Sequence, residues 1–363
     1  MTFTKRIFLF LAIVLTSHTY AQTISMDQLS MEDALRRLQL MGKIEGDISF
    51  MLRPIQSTRL HSWDSVLQSI DPSVKAMGNK KMDKHFFGNW GYASLLPVQI
   101  TQQYVTAQSF QELDGPMIAS SGYQVMASAG IFAKLGPLTI QLQPQYVSAA
   151  NSDFRGTKQT PNYQQTYWGN SSIRLNAGPV SLGVSSENLT WGPSIMNPLI
   201  MSSHPGGFMH VSFNSQRPWR TKIGSFEWQW VAAYLEEINP AYRGLAENYL
   251  GYGPGQSKDE KRYFNGAMLT YQPKWIKGLS MGLTRVAQEP ELLLWDYSTD
   301  PLASAPEWNL IFRNAARAGD GKLFSNWLLY PIEESIDQYA GAFLRWVWEP
   351  SHAEFYTEWS RND

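Results

Sequence analysis

The chain has 363 residues with a formal net charge of -1, 17% charged residues, 13% aromatic residues and no cysteine. So even a balance offers no basic footprint for nucleic acid, and the lack of cysteine excludes disulfides, thiolate metal sites and a lipid anchor on an N-terminal Cys. The charged fraction lies below the ~25% usual in soluble domains, and together with the aromatic content and an export signal it suggests a barrel in a bacterial outer membrane, although a secreted β-rich soluble protein has a similar composition.

That export signal opens the chain. Lys5 and Arg6 precede the apolar run Ile7 to Leu15, and Thr19-Tyr20-Ala21 gives a small-residue exit before Gln22. This is the three-part layout of a secretory signal peptide, so residues 1–21 are expected to be removed. No stretch of the sequence approaches the ~20 apolar residues a membrane-spanning helix needs.

Residues 22–88 read as a small periplasmic helical module. Ser30-Met31-Glu32-Asp33 starts a helix with acids in its first turn, Leu35 and Leu38 supply an apolar stripe, and Gly42 ends it. A second helix is predicted from about Thr58 to Ile70, with Leu60, Trp63, Leu67 and Ile70 at helical spacing. Between the two, Ile48, Phe50 and Leu52 alternate with Ser49, Met51 and Arg53, a weaker strand signal.

Residues 89–363 are read as the barrel. Period-two alternation begins near Gly91 and dominates the rest of the chain. Leu138, Ile140, Leu142 and Tyr146 alternate with Thr139, Gln141, Gln143 and Gln145, giving one apolar and one neutral polar face. Further strands are predicted over 96–106, 123–131, 171–177, 180–188, 208–214, 226–236, 263–272, 279–287, 339–348 and 353–359, about eleven in all. The joins at 135–137, 178–179, 215–225, 273–278 and 349–352 are short or moderate, and they alternate with long ones at 107–122, 150–169, 189–207, 237–262 and 288–338. Outer-membrane barrels combine short periplasmic turns with long extracellular loops, so the long loops are expected outside and the helical module inside. An odd strand count does not suit such a barrel, so the fold reads as a transmembrane antiparallel β-barrel, all-β and incomplete in this chain, with its C-terminal strands expected to be missing.

At Glu187-Asn188-Leu189, Trp191-Gly192-Pro193, Asn197-Pro198-Leu199-Ile200-Met201-Ser202 and Gly207-Phe208-Met209-His210, the sequence resembles the capsule assembly protein Wzi family. Gly91-Tyr92, Leu95-Leu96-Pro97 and the closing Phe355 to Asp363 are similar in flavour, and the resemblance runs from roughly Gly42 to the end. Membership would imply an outer-membrane barrel with a periplasmic helical bundle and a lectin-like role in attaching capsular polysaccharide to the cell surface.

Binding polysaccharide calls for aromatic faces to stack on sugar rings and for amide, carboxylate or guanidinium groups to meet hydroxyls. The expected outer loops supply Asp153, Arg155, Tyr163, Tyr167, Trp168, Trp191, Asn197, Tyr242, Arg243, Tyr249, Tyr252 and Trp295 as candidate contacts. Trp191, next to Gly-Pro, is more readily a loop anchor than a ligand contact. An alternative function is a channel for a small solute or oligosaccharide, with Gln141, Gln143, Gln145, Arg174 and Asn176 lining the pathway. His210, Ser212 and Asn214 share one strand face and could form a hydrolase set, but that face is the lumenal one, away from lipid. No metal or cofactor motif is present, and no enzyme is expected. The expected partners are surface polysaccharide and outer-membrane lipid.

Overall fold

The structure, a computed structural model, describes residues 23–24, 29–44, 48–56, 84–86, 90–106, 115–118, 122–150, 163–195, 197–202, 206–235, 262–290 and 337–362. The expected signal peptide and second helix lie outside the described residues. Two short strands, β1 (Thr23–Ile24) and β3 (Ile55–Gln56), pair with each other, and between them lie helix α1 (Leu29–Leu40) and β2 (Leu52–Arg53). The remaining strands are β4 (Lys84–Phe86), β5 (Gly91–Val105), β6 (Gly122–Leu135), β7 (Leu138–Leu142), β8 (Gln145–Ala149), β9 (Tyr163–Tyr167), β10 (Ser172–Ala177), β11 (Val180–Ser185), β12 (Thr190–Trp191), β13 (His210–Ser215), β14 (Trp219–Arg220), β15 (Gly224–Leu235), β16 (Arg262–Pro273), β17 (Leu279–Pro290), β18 (Asp337–Trp348) and β19 (Ala353–Asn362).

One meandering antiparallel sheet runs β19-β18-β17-β16-β15-β13-β11-β10-β7-β6-β5-β4. β8 pairs with β6 and β9, so β7 with β8, and β9 with β10, behave as two interrupted long strands. On that reading eleven long strands cross the sheet, as the alternation predicts. β9 is a difference, because residues 163–167 were expected within a loop. Its Tyr-Gln-Gln-Thr-Tyr sequence has polar residues on both faces and so carries no alternation to read. The sheet also starts earlier than the expected boundary at residue 89, since β4 pairs with β5.

The sheet's polarity is inverted relative to a soluble protein. On β10, Ile173 is 56% exposed whereas the next residue, Arg174, is 2% exposed, and Leu175 and Asn176 repeat the contrast. Leu182, Phe213, Leu269 and Leu283 are likewise exposed while Ser181, Asn214, Thr270 and Thr284 are buried. The period-two pleat sends apolar side chains outward and polar ones inward. That polarity suits a barrel with lipid outside.

Cross-strand register lays the inward residues out as a grid. Arg174 stands opposite Gly183, which stands opposite Ser212; Asn176, Ser181 and Asn214 form the adjacent row. A Cβ at Gly183 would come within 2.3 Å of the Ile173 carbonyl oxygen and 2.7 Å of Arg174 Cγ. The missing side chain is what lets Arg174 lie across β11. By contrast, Gly178 has φ +58 but open space around its Cβ position.

Gly183→Ala is therefore expected to destabilise the detergent-solubilised protein by about 3 kcal/mol or more, because it displaces a buried, paired Arg. Gly178→Ala should cost only about 1 kcal/mol, from the left-handed backbone. Urea titrations followed by Trp fluorescence check the order, and equal midpoints would contradict it.

Candidate functional site

The inner face of the sheet is covered by the N-terminal segment. In α1, Leu35 and Leu38 bury their side chains with Ile44, Ile48, Phe50 and Ile55 in a small core, while Arg36 and Gln39 point at the sheet. The helix lies at the short-turn end, where His352 Nδ1 is 2.9 Å from the Leu40 carbonyl oxygen. From there residues 48–53 run along the inner wall, and the Ser49 amide donates to Glu227 Oε2 at 3.2 Å. The small helical module expected at the N-terminus packs against the sheet over residues 29–44 and 48–56, and the buried polar groups of α1 meet both the wall and the inward loop.

The connection between β11 and β13 meets this segment from the opposite side. It turns inward, and β12 pairs antiparallel with β2, Thr190 opposite Arg53 and Trp191 opposite Leu52. Arg53 Nη2 donates to the carbonyls of Gly192 and Ser194, each at 2.7 Å, while its Nη1 donates to Glu32 Oε1 at 3.0 Å. Arg36 Nη1 donates to the Pro193 carbonyl at 2.8 Å and pairs with Glu354. From β19, Glu358 accepts the amides of Ser194 at 2.7 Å and Leu199 at 3.0 Å. Arg345, over the ring of Phe50, joins Gln39, Ser49 and Glu354 to the same assembly. These are mainly charge-assisted bonds in a largely buried setting, about twice as strong as neutral ones.

Trp191 sits at the centre. It is 0% exposed, packs with Met51, Leu52, Phe264, Met268 and Phe343, and donates its indole N–H to Gln229 Oε1 at 2.7 Å. Inward glycines on three neighbouring strands make room: Trp191 lies against Gly266, Met51 against Gly282 and Ile200 against Gly341. As a sugar contact Trp191 is corrected, since neither ring face is open to a ligand. It is the anchor of the inward loop.

Beside this plug, the polar inner wall is tied together. Arg174 Nη1 donates to Ser212 Oγ at 3.0 Å and Asn214 Oδ1 at 2.8 Å, and Nη2 to Glu187 Oε2 at 3.2 Å. Asn176 donates to Thr139 Oγ1 at 3.0 Å, and Gln141 to the Asn170 carbonyl at 3.0 Å. Gln143 and Gln145 are also buried. These five expected pathway residues face inward as foreseen and are buried among neighbouring groups. His210 faces the Phe208 carbonyl through Nδ1 at 2.8 Å, and Ser212 accepts from Arg174, so the two are not paired as base and nucleophile.

Of the other candidate sugar contacts, Tyr163 and Tyr167 lie on β9, with hydroxyls 2.5 Å apart and rings packed on Met117, Met126 and Val147. Trp168 is 64% exposed just beyond β9, and Asn197 is exposed in the inward loop with its amide bonded to Ser194 Oγ at 3.2 Å. The structure does not hydrogen-bond these two to each other. Asp153, Arg155, Tyr242, Arg243, Tyr249, Tyr252 and Trp295 lie outside the described residues. Sequence reasoning passed over Tyr104 and Tyr123, which are exposed, paired directly across β5 and β6 and flanked by Gln102 and Gln103 at the long-loop end. The clue was the Gln102-Gln103-Tyr104 run at the end of one predicted strand and Tyr123-Gln124 at the start of the next.

No protein-family model matches the chain, and no curated protein matches it. Among solved structures it is similar to Wzi, described as an outer membrane protein involved in group 1 capsule assembly in Escherichia coli and as a carbohydrate-binding β-barrel. The TM-score is 0.51 at 13% sequence identity, over 94% of this chain and 63% of the Wzi chain. The chain thus spans under two thirds of that structure's length. Its fold is Wzi-like, an antiparallel β-barrel sheet with a small helical N-terminal module.

Proposed function

We propose that this protein is an outer-membrane barrel that holds surface polysaccharide at the end bearing its long connections, and that it neither conducts nor catalyses. The observation that carries this reading is the plugged interior. A wall of paired polar groups closed by the β2–β12 clasp leaves binding to the rim, and the likeness to a carbohydrate-binding barrel agrees with it. The apolar outer face supports the membrane setting, because a lipid-exposed barrel must turn its polar side chains inward.

At the rim, the described residues best suited to sugar are Tyr104, Tyr123 and Trp168, with Gln102, Gln164 and Thr166 exposed on the same group of strands. Exposed aromatic faces supply stacking area at low entropic cost, and neutral amides and hydroxyls match the hydroxyls of a glycan. The loop candidates Asp153, Arg155, Tyr242, Arg243, Tyr249, Tyr252 and Trp295 would extend this rim. On this reading residues 1–21 are a cleaved export signal and the short-turn end faces the periplasm.

Two outcomes are expected. Tyr104→Ala with Trp168→Ala should weaken retention of polysaccharide purified from the source cells by about tenfold, as loss of an aromatic hot spot does. Unchanged retention by the folded variant would remove these residues from the site. Since the natural chain has no cysteine, single-cysteine variants report orientation cleanly. A membrane-impermeant maleimide added to whole cells should label Gln256→Cys and leave Lys222→Cys unlabelled, and the reverse would invert the topology.

A further inference from the structure

Two adjacent hairpins at the short-turn end share an unusual composition. The connection from β13 to β15 carries Arg217, Trp219, Arg220, Lys222 and Ile223, and that from β16 to β17 carries Lys274, Trp275, Ile276 and Lys277. Neither contains an Asp or Glu. The hairpins are joined physically, since Lys274 N donates to the Ile223 carbonyl at 3.1 Å and the Tyr271 hydroxyl to the same oxygen at 3.0 Å.

Aromatic rings build a ledge beneath the cations. Trp219 packs edge-on against Trp228, and Tyr271 stacks on Phe226 and meets Trp275 edge-on. Trp219 and Trp275 nonetheless remain 55% and 68% exposed. Lys277 pairs with Glu349 at 2.6 Å, while Arg217, Lys222 and Lys274 make no ion pair among the described residues. The long connections have the other sign in sequence: residues 107–121, 150–162, 189–207, 236–261 and 291–336 hold fifteen Asp or Glu against eight Lys or Arg.

We propose that this basic, Trp-edged ledge is a docking site for anionic phospholipid headgroups of the leaflet that meets the short turns. The inference rests on the membrane-barrel reading and adds a lipid preference to it. Trp rings settle at the interface between acyl chains and headgroups, which places the neighbouring Arg and Lys side chains at phosphate depth. Long basic side chains reach headgroups while their stems stay along apolar surface, and each cation near an anionic surface adds attraction that salt weakens. A zwitterionic headgroup would leave the excess positive charge of the two hairpins uncompensated.

The test is quenching of Trp fluorescence by brominated lipid in vesicles containing the full chain. Brominated phosphatidylglycerol should quench more than brominated phosphatidylcholine at equal mole fraction, and raised salt should narrow the difference. The variant carrying R217Q, K222Q and K274Q should lose about tenfold in preference for the anionic lipid while keeping its insertion, read by protease protection. Inorganic phosphate at matched ionic strength should not compete. Equal quenching by both lipids, or a preference that survives in the variant, overturns the headgroup site alone. Failure of the natural protein to insert in either vesicle overturns the membrane reading with it.

Discussion

The rest of the structure depends on how the interior of the barrel is filled. A sheet that turns most of its polar side chains inward must satisfy those groups without bulk water or leave them at a cost of several kcal/mol apiece. Here the wall satisfies many of them itself, through Arg174 and its partners, and a plug assembled from both ends satisfies others. Arg53 is the hinge of that plug. One guanidinium holds the acid of α1 and two carbonyls of the inward loop, so the N-terminal segment and the β11–β13 connection cannot be placed independently. Removing it would strand Glu32 and two carbonyls in a buried setting, the situation in which a lost partner costs more than the pair contributes.

The plug divides the molecule into surfaces with separate roles. With the interior occupied, the proposed recognition falls to the rim, and the connections at the two ends differ in the charge of their sequences. The short turns are basic and edged by Trp, whereas the long connections are acidic in sequence and the strand ends beside them carry the Tyr and Gln positions of β5, β6 and β9. Such asymmetry suits a protein that must sit in one orientation between two unlike surfaces. The inward loop is held to the strands on two sides, since Trp191 is fixed against β15 and β16 while Glu358 on β19 holds the loop's amides.

The strands were legible because alternation is local: each residue's facing follows from its neighbours two positions away. The eleven strands, the alternation of short and long joins and the inward facing of His210, Ser212 and Arg174 could all be read from the chain. The plug could not. Arg53 meets residues 192–194, and Arg345 meets Gln39 and Ser49, across separations that no periodicity records. Trp191 was readable as an anchor from its Gly-Pro neighbours, but its destination was not. The trace left in sequence is Gly266, Gly282 and Gly341, small residues at inward positions where a strand would otherwise favour a side chain. The proposed sugar-binding rim was the least legible, because exposed Tyr and Trp on a barrel serve equally as interfacial anchors.

The central claim is that the interior of this Wzi-like sheet is plugged by residues 48–53 and the inward β11–β13 connection. Single-channel recording of the protein inserted in a planar bilayer tests it most directly. The account predicts no steady ionic current across the natural protein; a stable, long-lived open conductance would contradict it.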